Sequence, residues 1–530
     1  MGSKKMQVWL PVLFSLVMII GMIIGFQLKE KTMSPQFFSF SQRSSLQELT
    51  SLIKNKYVDK LAIDSINALA STELLQHLDP HSVFIPAKEL SAVNEEMQGN
   101  FQGIGIEFRV IEDTVNVMNI VKDGPAEKAG LQIGDKLLTV DDTMSVSGKN
   151  IDITMIRTLF RGPVNSLVKV KYKRSNQISS VTITRNVISI SSIDAAYIIS
   201  PGIGYLRINK FAERTYEEFM QKLEILQSKK MQSLVLDLRG NGGGLMKEAI
   251  DIADEFLDEN KLIVYTEGEN TPKMEYISKR PGLFETGKLV VLIDETSASA
   301  SEVLAGALQD WDRATIIGRR SFGKGLVQQQ FQLSDGSAVR LTVARYYTPL
   351  GRNIQKPYDK GMKAYSNELL TRFQSVDSIS NKDSIVVVDR KVYKTKSGKI
   401  VYGGGGITPD SIVAFDSSRY PKQLIKLMIT NSLANFSYHY FVDHKEDFMQ
   451  FNNPTIFLEK YAPGNKEWNE LVQYSKKQGI ELDKLDPNSR SKVLITFKSL
   501  ISRYLWRDGG YFITINSIDP VIAKALIILK

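Results

Sequence analysis

The sequence predicts a multidomain α/β protein with a helical amino-terminal region, a small β-rich domain, an α/β core and a helical carboxy-terminal extension. Three observations predict it. Strand-length apolar runs such as Ile203–Ile208 alternate with amphipathic stretches such as Tyr216–Leu226 over residues 189–415, the pattern of an α/β core. Short alternating strands broken by glycine turns fill residues 98–188 instead. The 530 residues leave room for three or four units, and 43% hydrophobic content supplies their cores.

At the amino end, Gln7–Phe26 is almost unbroken apolar sequence, about 30 Å long as a helix, which matches the hydrocarbon thickness of a bilayer. The expectation is a retained transmembrane anchor over 7–26 with residues 1–6 as a cytoplasmic tail, since Lys4 and Lys5 precede the run and no A-x-A-like cleavage site follows. Residues 42–97 read as mainly helical. Residues 416–530 carry helix-like apolar spacing without a catalytic motif, and suit a capping or oligomerisation role.

Composition removes several chemistries. There is no cysteine, so disulfides, thiolate metal sites, a cysteine nucleophile and a lipoprotein anchor are all excluded. The four histidines, His77, His81, His439 and His444, lack metalloprotease spacing, and neither a metal nor another cofactor is expected. A net charge of +9 from 67 basic and 58 acidic residues is a small excess on a long chain and argues against a nucleic-acid partner. The local cluster Arg390–Lys399 reads as a solvated hairpin.

Three segments carry chemistry. Ser233–Leu245, containing Asp-Leu-Arg-Gly-Asn-Gly-Gly-Gly, reads as a strand and a glycine turn before the helix Met246–Leu257. Such a turn exposes amide hydrogens beside a helix N-terminus, where negative charge is stabilised. A dinucleotide fingerprint fails there because Leu245 stands at its last glycine position. Glu295–Glu302 and Ser321–Gln329 then supply serines and a lysine without a histidine. A serine hydroxyl attacks poorly unless a neighbour takes its proton, and a lysine neutralised by burial can do so. Ser299 also stands three residues before Glu302 at the entry of a helix expected over Ser301–Trp311, so a capping box is a second reading of it. Lys324, between two glycines, also reads as an exposed turn lysine. A phosphate loop is approached by Gly318, Gly323 and Lys324, but Gly325 replaces the magnesium-binding hydroxyl and Leu326–Leu333 has a strand pattern.

In their order and spacing the three segments resemble the carboxyl-terminal processing peptidases, or tail-specific proteases. The resemblance covers residues 45–415 and implies a crotonase/Clp-protease-like core with an inserted PDZ domain. It makes Ser299, the middle serine of Ser-Ala-Ser-Ala-Ser-Glu, the nucleophile; Lys324, 25 residues later, its base; and Gln328, four further on, the residue that orients the base. The oxyanion donors would be the backbone amides of Gly243 and Ala300, with Gly242 standing where many relatives carry proline. Leu78–Ser82 resembles a family motif before the PDZ domain and makes His81 structural rather than catalytic, while Gly403–Asp410 matches a segment that closes the core. Within 98–188, Gly124–Val140 resembles a circularly permuted PDZ domain. The residues Gly103, Ile104, Gly105 and Ile106 would then hold the carboxylate of a peptide added as an extra strand. The implied function is a serine endopeptidase anchored in a bacterial inner membrane, with its catalytic part periplasmic or extracytoplasmic. Its substrates are proteins or peptides with free carboxy termini, and the resemblance leaves self-association and an adaptor protein open. The alternative of a different class is a catalytically silent PDZ scaffold for exported protein tails.

Overall fold

A computed structural model of the protein describes residues 14–24, 45–149, 151–375, 391–414 and 421–530. They fall into two compact units, divided between Ser71 and Thr72. The first holds the apolar helix Phe14–Ile24 and the helix Ser45–Lys56; the helix Ile63–Gln76 runs across the division. Among the described residues no single helix is long and apolar enough to cross a membrane, and the rest of the expected anchor over 7–26 lies outside them.

The centre of the second unit is a six-stranded sheet. Ile193–Ser200 pairs antiparallel with Ile203–Ile208, and Ser233–Asp237, Lys288–Ile293, Thr315–Gly318 and Ser411–Ile412 then follow in parallel. Its inner strands Ser233–Asp237, Lys288–Ile293 and Thr315–Gly318 are runs of Val, Ile and Leu without polar alternation because both faces are covered. Leu234, Leu236, Val291 and Ile293 point into a core with the helices Thr215–Ser228, Met246–Asp254 and Ala300–Asp310. The intervening Val235, Val290 and Leu292 face the last helix, Pro520–Leu529, through Val521, Ile522 and Ala525. The carboxy-terminal extension thus supplies one of the two layers that enclose the sheet.

A second, antiparallel sheet runs beside it. Ala338–Tyr347 pairs along its length with Leu326–Gln332, at one end with Leu262–Gly268 and at the other with Val83–Ile85. Residues 42–97 are therefore not wholly helical, since Val83, Phe84 and Ile85 lie opposite Arg340, Val339 and Ala338. The β-rich domain leaves the chain after this strand and returns before Ile193.

That domain is a twisted sheet in the order Ile106–Ile111, Thr114–Ile120, Lys136–Val140, Leu167–Arg174, Gln177–Thr184, with Met144–Ser145 also on Lys136–Val140. Its one long helix is Ile153–Phe160, capped by Asp152, whose carboxylate accepts the Thr154 N–H at 2.8 Å. Asn100–Gly103 pairs with Asn186–Ser189 where the chain enters and leaves.

The extension from Pro421 onward is helical. Its core gathers Phe436, Tyr440, Phe441, Phe457 and Phe497 and takes in Ile111 and Met118 of the β-rich domain. Its longest element, Pro487–Ile515, is broken at Trp506 and Arg507. Elsewhere helices differ from expectation by a few residues. The one after the glycine turn stops at Asp254 rather than Leu257, because the Glu255 carbonyl accepts the Phe284 N–H (2.9 Å) and the chain turns there toward the strand at Leu262.

Candidate active site

The strand Lys288–Ile293 delivers the chain to a tight turn at the head of the helix Ala300–Asp310. Asp294 organises the turn by accepting the Thr296 N–H and hydroxyl at 3.0 and 2.7 Å. The two flanking serines are fully buried and occupied, Ser297 Oγ donating to the Leu238 carbonyl and Ser301 Oγ to the Asn241 carbonyl, both at 2.9 Å. The small residues of Ser297–Ser301 let this turn lie directly against the Asp-Leu-Arg-Gly-Asn loop.

Ser299 is the N-cap of the helix, with φ +56° and ψ −114°. A non-glycine residue there costs roughly 1–3 kcal/mol and persists only where its surroundings enforce it. They do so from three sides. Its N–H donates to Glu302 Oε2 at 2.9 Å in a capping box, its carbonyl accepts the Tyr346 hydroxyl at 3.1 Å, and Gly243 lies beneath it. A Cβ on Gly243 would stand 2.6 Å from the Ala298 carbonyl and 2.8 Å from Ser299 Cβ, so only glycine fits. A serine forced into this geometry at a strand-to-helix turn matches a nucleophile elbow, and the capping role coexists with it.

Lys324 lies in the loop just ahead of the strand Leu326–Gln332 and is half-buried. Its Nζ donates to Gln328 Oε1 at 2.9 Å; the expected contact is present, although only Gln328 lies on the strand and a shared strand face does not account for it. The Gln328 Nε2 donates in turn to the His81 carbonyl, which fixes the amide with its oxygen toward the lysine. Burial holds the Lys324 pKa below the ordinary lysine value, Arg340 lowers it further, and Asp79 and Glu302 oppose. Among the described residues no hydrogen bond joins Lys324 Nζ to Ser299 Oγ.

The two expected oxyanion donors stand differently in the structure. Ala300 is the first helical residue and is 1% exposed. The Gly243 N–H, by contrast, donates to Asn241 Oδ1 at 2.8 Å, and Asn241 is itself tied through Nδ2 to the Ile208 carbonyl at 3.0 Å. In this state the Gly243 amide serves an Asn-centred turn.

Glu302 is the residue that sequence reasoning understated. Fully buried, it accepts the Ser299 and Lys324 N–H groups on Oε2 (2.9 and 2.8 Å), and the Gly323 N–H and Ser321 hydroxyl on Oε1 (2.8 and 2.5 Å). Burial pushes its pKa up to about 7, against the lowering effect of those four donors. Its position three after Ser299 was the legible signal; its reach to the lysine loop was not. Ser321 also accepts the Ile407 N–H at 2.6 Å and so fastens Gly403–Asp410 to the same hub.

The turn Leu78–Ser82 is a second such piece. Asp79 accepts the His81 N–H, the Ser82 N–H and the Ser82 hydroxyl at 2.8, 3.0 and 2.5 Å. Ser82 Oγ then accepts the Thr342 N–H at 3.1 Å, setting the turn on the second sheet. Burial first, then Lys324, lowers the His81 pKa to about 4, so the imidazole beside Tyr365 is neutral at pH 7.

In the β-rich domain, Ile106–Ile111 is an edge strand facing the helix Ile153–Phe160 across a groove of about 240 Å³. Gly103 ends one strand and Ile106 begins the next, so the expected carboxylate loop is the two-residue link Ile104–Gly105 with its flanks, at one end of the groove. Gly105 has φ +78°, where a side chain would be strained and its Cβ would crowd Ile188 at 3.1 Å. An open edge beside a helix is the geometry that accepts an added peptide strand.

Residues 202–364 match the model of peptidase family S41, residues 102–184 that of the PDZ domain, and residues 423–508 that of a family of unknown function. The chain is 34% identical over 328 residues to the carboxy-terminal-processing protease of Bartonella bacilliformis, covering 60% of this chain and 73% of that one. It is 33% identical over 374 residues to a probable CtpA-like serine protease of Staphylococcus haemolyticus (70% and 73%), and 34% identical over 314 residues to the carboxyl-terminal-processing protease of Synechocystis sp. (58% and 72%). With the strand-to-helix serine turn in an α/β core and a PDZ domain inserted ahead of it, the chain belongs to the carboxy-terminal-processing serine proteases of peptidase family S41.

Proposed function

We propose that the protein is a membrane-anchored endopeptidase that takes protein carboxy termini into its PDZ groove and cuts the same chains with Ser299 and Lys324. The observation that carries the catalytic assignment is the shared Glu302 carboxylate, which binds the amides of both residues and brings the nucleophile turn and the lysine loop to one point. Ser297 and Ser301, whose hydroxyls are buried and committed, are poor rivals for Ser299.

The chemistry follows from these positions. A neutral lysine donates one N–H to Gln328 and keeps a lone pair free, which accepts the Ser299 proton when the amine turns toward it. The alkoxide attacks the peptide carbonyl. The developing oxyanion lies against the Ala300 amide, and Gly243 joins it once its N–H leaves Asn241 Oδ1. Lys324, now protonated, gives its proton to the leaving amine, and water activated by the same lysine releases the acyl group.

Tail capture is assigned to Gly103, Ile104, Gly105 and Ile106, supported by the edge strand and groove. The anchor is assigned to 7–26 on its apolar length, and Lys4 and Lys5 ahead of it support an orientation with the catalytic part outside the cytoplasm of a bacterial inner membrane. A serine-directed fluorophosphonate tests the catalytic centre. Labelling of the native chain and its loss in Ser299→Ala is the expected result; undiminished labelling in the variant would reassign the nucleophile. Extraction of the full chain by detergent but not by carbonate tests the anchor.

A further inference from the structure

We infer that the PDZ groove selects tails carrying an acidic side chain at the third residue from the carboxy terminus, and that Arg157 makes the selection. The inference rests on the groove being a tail site, as proposed above.

Ile153, Arg157 and Phe160 stand at i, i+4 and i+7 of one helix and therefore share its groove-facing side. Opposite them are Ile106 and Phe108 of the edge strand, so the guanidinium sits in an otherwise largely apolar channel. The other charges lining the channel are already matched. Arg161 Nη1 pairs with Glu95 at 3.3 Å and its guanidinium lies over the Phe101 ring at 5.2 Å. Glu107 receives two hydrogen bonds from Arg503 of the carboxy-terminal extension, at 2.9 and 3.2 Å. Arg157 has no ion pair among the described residues and is exposed. The channel therefore carries one uncompensated positive charge on its helical wall.

Geometry assigns the position. A tail added antiparallel to Ile106–Ile111 puts its terminal carboxylate at Ile104–Gly105 and points alternate side chains at the helix. The last residue then faces Phe160, at the end of the helix beside Ile104, and the third from last lies about 7 Å further along the strand. Arg157 is about 5 Å further along the helix than Phe160, within reach of that second side chain. A carboxylate there meets an unpaired guanidinium, whereas an ammonium meets like charge. An exposed pair of this kind is worth up to about fivefold in affinity.

The test uses the full chain carrying Ser299→Ala and fluorescent peptides that differ only at the third-last residue, Glu, Gln or Lys, each as free acid and as amide. Expected is an order Glu, Gln, Lys with about twofold to fivefold between Glu and Gln, narrowing as salt is raised. The preference should vanish in Arg157→Gln and reverse in Arg157→Glu, while amidation weakens every peptide. Equal binding of the three free acids, with amides still weaker, would overturn the inference and leave tail recognition standing. A Glu preference that survives Arg157→Gln would also overturn it, by assigning the selection to another group. Acids and amides binding alike would remove tail recognition and the inference together.

Discussion

The backbone N–H groups of Ser299 and Lys324 donate to the same oxygen, Oε2 of Glu302, at 2.9 and 2.8 Å. Two residues 25 positions apart, on different sheets' connections, are thereby held relative to each other by one buried carboxylate rather than by contact between their own side chains.

Replacing either functional side chain should remove chemistry and spare the fold. Ser299→Ala and Lys324→Ala are expected to lower peptide turnover by 10³-fold or more, on the order of removing a nucleophile or its base, with thermal melting little changed. Turnover of a tailed reporter substrate and circular dichroism on each variant check this. Near-native turnover in Ser299→Ala would move the nucleophile elsewhere.

Glu302→Gln should behave differently, because an amide offers one acceptor oxygen where four donors converge and sets an NH₂ group against the rest. Loss of about 3 kcal/mol of stability is expected, together with a fall in turnover as the two loops lose register. Urea unfolding and kcat measured on the same preparation separate the two effects; unchanged stability would refute the hub.

The pH dependence has a definite sign. Burial depresses the Lys324 pKa, so the folded state favours the neutral amine, and turnover should climb with pH through that lowered value. Between it and the ordinary lysine pKa the unfolded chain holds a proton that the folded chain lacks, so this group's contribution to stability also rises with pH there. Gln328→Ala should lower kcat by leaving the amine unoriented, and should do so at every pH on the rising limb. A rate that is flat in pH while chemistry limits turnover would exclude lysine as the base.

His81 titrates in the opposite part of the scale. With its pKa lowered to about 4, it stays neutral in the fold while the unfolded chain takes up a proton below the ordinary value of 6.5. Stability should therefore fall as pH drops from 6.5 toward 4, and His81→Gln should shrink that acid loss. Urea midpoints for both proteins at pH 7 and pH 4.5 measure it; equal acid losses would show that other groups govern this range.

The carboxy-terminal extension should be indispensable to the core. Ile522→Asp places a charge at a site 1% exposed, against the sheet face that carries Val235 and Val290, and is expected to cost about 4 kcal/mol or more. A differential scanning calorimetry trace with an unshifted transition would show that this layer is dispensable.

The sequence by itself determined the chemical inventory and the local frames. Serine, lysine and glutamine stand at spacings that survive folding because each lies on, or at the mouth of, one regular element, and Lys324, just ahead of the strand that carries Gln328, reaches it over four residues. The apolar runs of the central sheet were equally legible, since burial on both faces removes alternation. What only the tertiary structure decided is which distant groups meet. Glu302 read as half of a capping box because its second pair of donors, Ser321 and Gly323, lies across a helix and a strand. Gly243 read as an amide free for catalysis, yet Asn241 occupies it, a matter of side-chain rotation that no spacing encodes. The extension after Pro421 had no motif to betray its place, because covering a sheet needs only apolar area of the right shape. Hydrophobic contact is non-directional, and its partner becomes known only when the chain has folded.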